Sequence, residues 1–460
     1  MFQAQTYIQR RNALKSKLKS GIILLLGNNE APMNYPDNTY HFRQDSNFLY
    51  FFGLNDPALA AVIDIETGEE ILFGNDVDID DIIWMGPQPT IKEKAVKCGV
   101  YNTKTFSELE SYIKSKTHSE KIHFLPPYRS DNAIFIETLL GIKPQEQKQS
   151  ASLELIKSII DLRSIKEDVE IAAIEEAMDV AYMMHTTAMK LAKAGVYERE
   201  IAGTMEGIAL AHGCVVSFPI ILTKNGQTLH NHHHGNLLKN GDLLLIDAGA
   251  EAPSNYCTDH TRTIPVGGKF SQKQKEIYEI VLKANKESIK MIKPGITYQS
   301  VHLFSAQIIA DGLKALGLMT GDTKEAVKQG AHAMFYPHGL GHMMGIDVHD
   351  MEDLGQNYVG YDDKVKKIDQ FGTAYLRLGR ELQPGFVLTV EPGIYFIPAL
   401  FEQWRKENKF TQFINYDKVA EYMDFGGIRI EDDVLVTENG YKVFGQPIPK
   451  EVDDIEAFMK

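Results

Sequence analysis

Cysteine is nearly absent: three residues among 460, and Cys98, Cys214 and Cys257 are far apart. That count and spacing suggest neither a disulfide framework nor a thiolate zinc site, and a packed, inert role is expected for each thiol. Long apolar runs are missing too. The longest, such as Ile22–Leu26, is far too short to cross a bilayer. The N-terminus shows no extended apolar stretch followed by small residues, so no secretory leader is expected and the cytoplasm is the expected compartment. Basic residues are scarce relative to acidic ones, 48 Lys and Arg against 62 Asp and Glu, for a net charge of −14. Such a surface has no electrostatic reason to seek nucleic acid. Repeats and low-complexity segments are also lacking.

What is present is an ordinary globular composition, 43% hydrophobic and 24% charged, on a chain too long for one core. Two domains of α/β character are expected, 1–152 and 153–460. In the first, Gly21–Gly27 reads as a buried strand and Ala60–Gly74 as a hairpin turned at Thr67-Gly68. The polar stretch 141–152 is the expected linker. In the second, Ser164-Ile-Lys-Glu167 has capping-box form and predicts a helix start, with Gly195 as a stop. Further helices are predicted over 271–293 and 299–316. Strand-like runs alternate with them.

Those runs carry five residues of one chemical kind. They read Leu-Leu-Leu-Ile-Asp247-Ala-Gly-Ala-Glu, Tyr-Cys-Thr-Asp259-His-Thr-Arg-Thr, His338-Gly-Leu-Gly-His342, Leu-Thr-Val-Glu391-Pro-Gly and Gly-Gly-Ile-Arg-Ile-Glu431-Asp-Asp. Four carboxylates and one imidazole suit hard divalent ions such as Mn²⁺ or Mg²⁺, and the imidazole adds affinity for Co²⁺, Fe²⁺ or Zn²⁺. Two such ions about 4 Å apart can lower the pKa of a shared water. Singly, each residue has a plainer reading: Asp247 as a strand end, Glu391 as a loop carboxylate, Glu431 as part of a solvated acidic face with Asp432 and Asp433. Strand alternation puts Arg429 and Glu431 on one side and Ile428 and Ile430 on the other. His338 and His342 have the spacing of a helical zinc-protease pair, but the glycines between them and the lack of a Glu after His338 exclude that motif. His232–His234 are expected in a polar loop without a role.

Together, these motifs resemble those of the Xaa-Pro branch of the pita-bread metallopeptidases, which includes aminopeptidase P and prolidase. Gly345-Ile-Asp-Val-His349-Asp is similar to a further motif of that branch, and Phe42–Gly53 is similar to the signature of aminopeptidase P N-terminal domains. The resemblance implies a creatinase-like α/β N-terminal domain and a pita-bread α+β catalytic domain. It implies two divalent ions, Mn²⁺ foremost, held by Asp247, Asp259, His342, Glu391 and Glu431. Asp259 and Glu431 would bridge them. His230, His338 and His349 match histidines that contact substrate or steady the tetrahedral intermediate, and Arg429 matches an arginine that orients the last Glu. Glu391 would shuttle protons. The partners implied are proline-containing peptides and, in a homodimer or homotetramer, further copies of the chain.

An Xaa-Pro bond is a tertiary amide with no N–H to recognise, so such a hydrolase must read the ring and the N-terminus. Aminopeptidase and dipeptidase are both open at this point. Segment Ile397–Phe425, between the last two candidate ligands, resembles an insertion found in prolidases and is where peptide selection is expected to lie. Leu376-Arg377-Leu-Gly-Arg380 resembles a prolidase run whose first arginine binds the product carboxylate. The N-terminal signature and Gly-Leu-Gly-His342 resemble aminopeptidase P, the reading adopted. Non-catalytic proteins on this fold have lost ligands that are all present here. Methionine aminopeptidases usually lack such an N-terminal domain. The interval from Asp247 to Asp259 is one residue longer than the resemblance leads one to expect, and a bulge is expected to absorb it.

Overall fold

The computed structural model describes residues 1–117 and 120–460. It divides into two units: Met1–Arg163 with Asp353–Gly355, and Ser164–Glu352 with Gln356–Lys460.

In the first unit, the apolar run becomes β1 (Ile22–Leu26), buried along nearly its whole length. β2 (Ala60–Asp64) pairs with it antiparallel, Ile22 opposite Asp64 and Leu26 opposite Ala60. The chain then turns where the sequence predicts: Asp64 Oδ1 accepts the Thr67 amide at 2.9 Å, and Gly68 carries the positive φ that leads into β3 (Glu70–Phe73). β4 (Asn102–Lys104) and β5 (Ile122–His123) add parallel edges, giving the order β4-β3-β2-β1-β5. The signature segment forms helix Ser46–Phe52. Asp45 caps it by accepting the Phe48 amide at 2.9 Å, and every residue of the helix is buried. The polar stretch 141–152 contains a helix of its own, Pro144–Ser150, with proline in the first turn where its missing N–H costs nothing.

In the second unit the long helix runs Asp168–Leu191. Its start lies later than the sequence predicts, because Ser164 closes the preceding helix, Leu153–Ser164. Glu167 is the cap instead. Its backbone carbonyl accepts the Glu170 amide at 2.9 Å, and the Glu170 carboxylate accepts the Glu167 amide at 2.8 Å. The Glu170 carboxylate thus satisfies the free amide at the cap, with the helix dipole in its favour. The Ser164 hydroxyl accepts from Arg380 Nη2 at 2.8 Å. Helices Gln272–Met291, capped by Ser271, and Tyr298–Ala315, capped by Thr297, lie within a residue or two of their predicted spans.

The strands of this unit pair antiparallel throughout. β6 (Val215–Val216) pairs with β9 (Ala250–Glu251), and β7 (Ile221–Thr223), β8 (Leu243–Ala248) and β10 (His260–Pro265) form a sheet in the order β10-β8-β7. β11 (Val387–Val390), β14 (Asp432–Thr437) and β15 (Gly440–Val443) form another, and β12 (Gly393–Tyr395) pairs with β13 (Gly427–Arg429). The expected bulge between Asp247 and Asp259 is not there. His260 opposes Ala248 and Cys257 opposes Glu251 in one continuous register, and the turn is made around Asn255 at φ +66°. Gly249 is required at this crossing, since a Cβ would stand 1.7 Å from the Thr258 carbonyl oxygen.

One core binds helices and strands together, through Met184, Ile246, Val281, Ile309, Ile428 and Ile430 among others. Burying each such side chain is worth about 1.5–3 kcal/mol, which fixes the strands that carry the polar residues. Segment 397–425 joins the same core. It contributes helices Pro398–Lys406 and Tyr416–Ala420, with Phe401, Trp404 and Tyr422 packed inward.

Candidate metal centre

All ten residues singled out from the sequence line one cavity of about 240 Å³ in the second unit: His230, Asp247, Asp259, His338, His342, His349, Arg377, Glu391, Arg429 and Glu431. The size is just below the roughly 300–1,000 Å³ of small-ligand pockets and suits a peptide end, not a folded chain. Asp247 stands on β8 directly opposite Thr261 of β10. Asp259 immediately precedes β10, Glu391 immediately follows β11, and Glu431 sits between β13 and β14. The segment Leu340–His342 lies along β11 in extended form. Glu391 N–H donates to the Leu340 carbonyl at 2.8 Å and Thr389 N–H to the His342 carbonyl at 3.0 Å. Gly341 allows this approach, because a Cβ there would meet the Thr389 carbonyl at 2.1 Å. The run is not helical, as its glycines imply.

Asp259, His342 and Glu431 present ligand atoms that all lie within 4.8 Å of one another. The His342 Nδ1–H donates to the Met343 carbonyl at 3.0 Å. Its Nε2 lone pair therefore faces carboxylate oxygens, Asp259 Oδ2 at 3.4 Å and Glu391 Oε1 at 3.8 Å. Electron-rich atoms converging in this way repel unless a cation stands among them. Asp247 Oδ1 and Asp259 Oδ1 are buried without a hydrogen-bond partner among the described residues. Burial, followed by the mutual repulsion of the carboxylates, raises Asp259 and Glu431 well above the ordinary range, and burial raises Glu391. A divalent ion reverses that cost by neutralising the charges directly. The donor set, four carboxylates and one oriented imidazole, fits such an ion.

Around these groups runs a layer of fixed partners. Arg429 faces Asp247, not Glu431. Its Nη2 bonds Asp247 Oδ2, its Nη1 donates to the Tyr395 hydroxyl at 2.9 Å, and its Nε donates to Thr261 Oγ at 3.1 Å. Thr261 in turn donates to Glu431 Oε2 at 2.7 Å, so one hydroxyl couples the arginine to the last glutamate. Ile428 and Ile430 are fully buried on the other side, as strand alternation requires. Asp432 and Asp433 are not part of a solvated face. Arg262 and Lys450 bind Asp432 at 2.7 and 2.6 Å and hold its pKa down despite burial. Asp433 accepts the Asp259 amide at 2.9 Å.

Burial disfavours the charged form of His230, His338 and His349. Burial lowers His338 to about 3 and His349 to about 4, and lowers His230 as well. His338 Nε2 bonds the Tyr395 hydroxyl at 2.9 Å, and His349 Nδ1 bonds Glu352 Oε2 at 2.6 Å. Tyr395 and Glu352 are thus two residues that sequence reasoning missed. Tyr395 could have been found by alternation, since Glu391, Gly393 and Tyr395 recur at every second position. Glu352 gives no signal beyond its place three residues after His349. His232, expected in a loop without a role, lines the cavity at its exposed rim. Phe218, Pro219, Ile221, Leu229 and Val348 supply an apolar wall. None of residues 397–425 lines this cavity directly; Ile397 packs behind it, against the cluster of Ile221 and Tyr395.

The sequence profile of metallopeptidase family M24 matches residues 172–438, which hold all ten residues. The chain belongs to this family. Residues 7–124 match the aminopeptidase P N-terminal domain. Among M24 relatives, a probable Xaa-Pro aminopeptidase of Fusarium vanettenii is 34% identical over 96% of this chain and 91% of its own length. A human Xaa-Pro dipeptidase is 32% identical over 95% of this chain and 88% of its own. Of solved structures, Escherichia coli aminopeptidase P in complex with substrate superposes with a TM-score of 0.82 at 30% identity, covering 100% of this chain and 98% of that one. An aminopeptidase of Pseudomonas aeruginosa gives 0.83 at 27% identity, with the same coverage. The fold is therefore that of an aminopeptidase P, an N-terminal α/β domain followed by an M24 catalytic domain.

Proposed function

We propose that this M24 enzyme is an Xaa-Pro aminopeptidase, removing the N-terminal residue from peptides with proline in second place. The observation that carries this is the convergence of four carboxylates and His342 on one cavity that also has His230, His338, His349 and an apolar wall. The aminopeptidases among its relatives, similar over essentially the whole chain, support the same reading.

Asp247, Asp259, His342, Glu391 and Glu431 would hold two divalent ions, Mn²⁺ or alternatively Co²⁺, Fe²⁺ or Zn²⁺. The pair would acidify a water and polarise the scissile carbonyl. Glu391, half-buried and lining the cavity, would take a proton from the attacking water and deliver it to the departing proline nitrogen. His349 and His230 hydrogen-bond the substrate carbonyls as charge develops on oxygen. His338 is held by the Tyr395 hydroxyl, which also accepts from Arg429, and would face the prolyl group of the substrate. Phe218, Ile221, Leu229 and Val348 receive the ring itself and exclude water from it. The carboxylates attract the substrate's α-ammonium group. Arg429 keeps Asp247 oriented and Thr261 keeps Glu431 in place.

Dipeptidase activity is the second reading, supported by the similarity to the human Xaa-Pro dipeptidase and by Arg377, which lines the cavity and can meet a free carboxylate after proline. Rates on Xaa-Pro-Yaa tripeptides and Xaa-Pro dipeptides decide between the two. Faster cleavage of tripeptides supports the aminopeptidase, and a strict dipeptide preference overturns it. No described helix is long and apolar enough to cross a membrane. Three free, buried cysteines suit a reducing compartment such as the cytoplasm. Assembly as a homodimer or homotetramer rests on the family resemblance and can be read by analytical ultracentrifugation.

A further inference from the structure

His349 and Arg377 lie at the cavity on different segments, yet one side chain outside the cavity holds both. Glu352 Oε2 binds His349 Nδ1 at 2.6 Å, and Glu352 Oε1 binds Arg377 Nε at 3.2 Å. The local backbone brings the carboxylate there, since the Glu352 amide donates to the His349 carbonyl at 3.2 Å in a tight turn. Hydrogen bonding to His349 and the nearby guanidinium hold Glu352 at about 2, so it is an anion at any working pH. Its bond to Arg377 uses Nε, and among the described residues the two Nη groups, with four of the five guanidinium protons, have no partner.

Two consequences follow from one carboxylate bound in this way. The imidazole is fixed in orientation and its Nδ1 is committed, leaving Nε2 for substrate. The arginine is placed and its charge partly neutralised before any peptide arrives. We propose that Glu352 is a positioning and specificity residue. It locks His349 for catalysis and moderates the positive charge that Arg377 presents to whatever follows proline, thereby restraining the enzyme's preference for a free carboxylate at that point. The proposal deepens the Xaa-Pro reading and rests on it.

Purified, Mn²⁺-loaded wild type, E352Q, R377A and the double variant E352Q/R377A are compared on an Xaa-Pro dipeptide and its Xaa-Pro-amide. The two substrates differ only in the charge after proline. Gln keeps the shape and one acceptor but loses the charge. In E352Q, kcat is expected to fall about 10-fold or more on both substrates, the scale of losing an orienting partner of an active-site histidine. The ratio of KM for amide over KM for dipeptide is expected to rise about 3- to 5-fold, the range of a partly exposed ion pair. In the R377A background, E352Q should leave that ratio unmoved. A merely structural role for Glu352 would lower kcat without moving the ratio, so an unmoved ratio in E352Q overturns the proposal, whatever kcat does. If the wild type cleaves neither substrate, Xaa-Pro hydrolysis itself is overturned, a result distinct from failure of the Glu352 role.

Discussion

Arg429→Met tests how the buried charges are balanced. Arg429 is 4% exposed and stands on the Asp247 side of the carboxylate cluster. Methionine keeps most of the apolar stem but removes the charge and the donors to Asp247, the Tyr395 hydroxyl and Thr261. Asp247 Oδ1 already lacks a partner, so the substitution leaves that carboxylate buried and uncompensated. Removing one member of a buried pair costs about 3–5 kcal/mol. At roughly 2 °C for each kcal/mol in a domain of this size, the metal-free variant should melt about 6–10 °C below the metal-free wild type. Divalent ions supply the missing positive charge, so Mn²⁺ should raise the melting temperature of the variant by more than it raises that of the wild type. Differential scanning calorimetry on EDTA-treated and Mn²⁺-loaded samples reads both effects. A metal-free variant that melts with the wild type, or a Mn²⁺ increment no larger than the wild type's, would refute this charge balance.

Glu391→Gln should lower kcat by at least about 10³-fold in the Mn²⁺-loaded enzyme, because the amide cannot carry the proton from water to the leaving nitrogen; retained turnover in a stopped assay would remove Glu391 from the mechanism. Acid should destabilise the Mn²⁺-loaded protein. Burial depresses His185 and His332 to about 4 and His302 and His338 to about 3, against an ordinary value of 6.5. The folded state therefore binds fewer protons than the unfolded chain, and the stability these histidines contribute is complete above 6.5 and lost as pH falls toward 4. Each costs about 2 kcal/mol by pH 5, so the melting temperature should fall steadily from pH 7 to 5, and a flat profile would contradict the burial of neutral imidazoles.

The candidate metal centre was legible because its residues lie in short runs whose neighbours explain themselves. Asp247 ends an apolar strand, Gly341 is forced by the Thr389 carbonyl, and Ile428 and Ile430 alternate with Arg429 and Glu431. The hairpin at Gly68 and the helix capped by Ser271 were legible for the same local reason. What sequence could not show depends on contacts between distant segments. Arg429 pairs with Asp247, 182 positions away. Asp432 is matched by Arg262 and Lys450, which turns an apparently solvated acidic run into a buried one. Glu167 takes the N-cap position expected of Ser164, because Ser164 closes the preceding helix, and the Glu170 carboxylate accepts the cap amide. Segment 397–425 packs as core through its aromatic residues, which composition alone does not separate from a substrate-binding insertion.

Metal-dependent cleavage of an Xaa-Pro-Yaa tripeptide bears most directly on the central claim. Metal-stripped protein is titrated with Mn²⁺, bound metal is counted by mass spectrometry of the element, and products are identified by liquid chromatography. Activity rising with metal loading, release of free Xaa and Pro-Yaa, and loss of both with EDTA are expected. Metal bound at the site with no cleavage of the Xaa-Pro bond, or cleavage unaffected by EDTA, would contradict it.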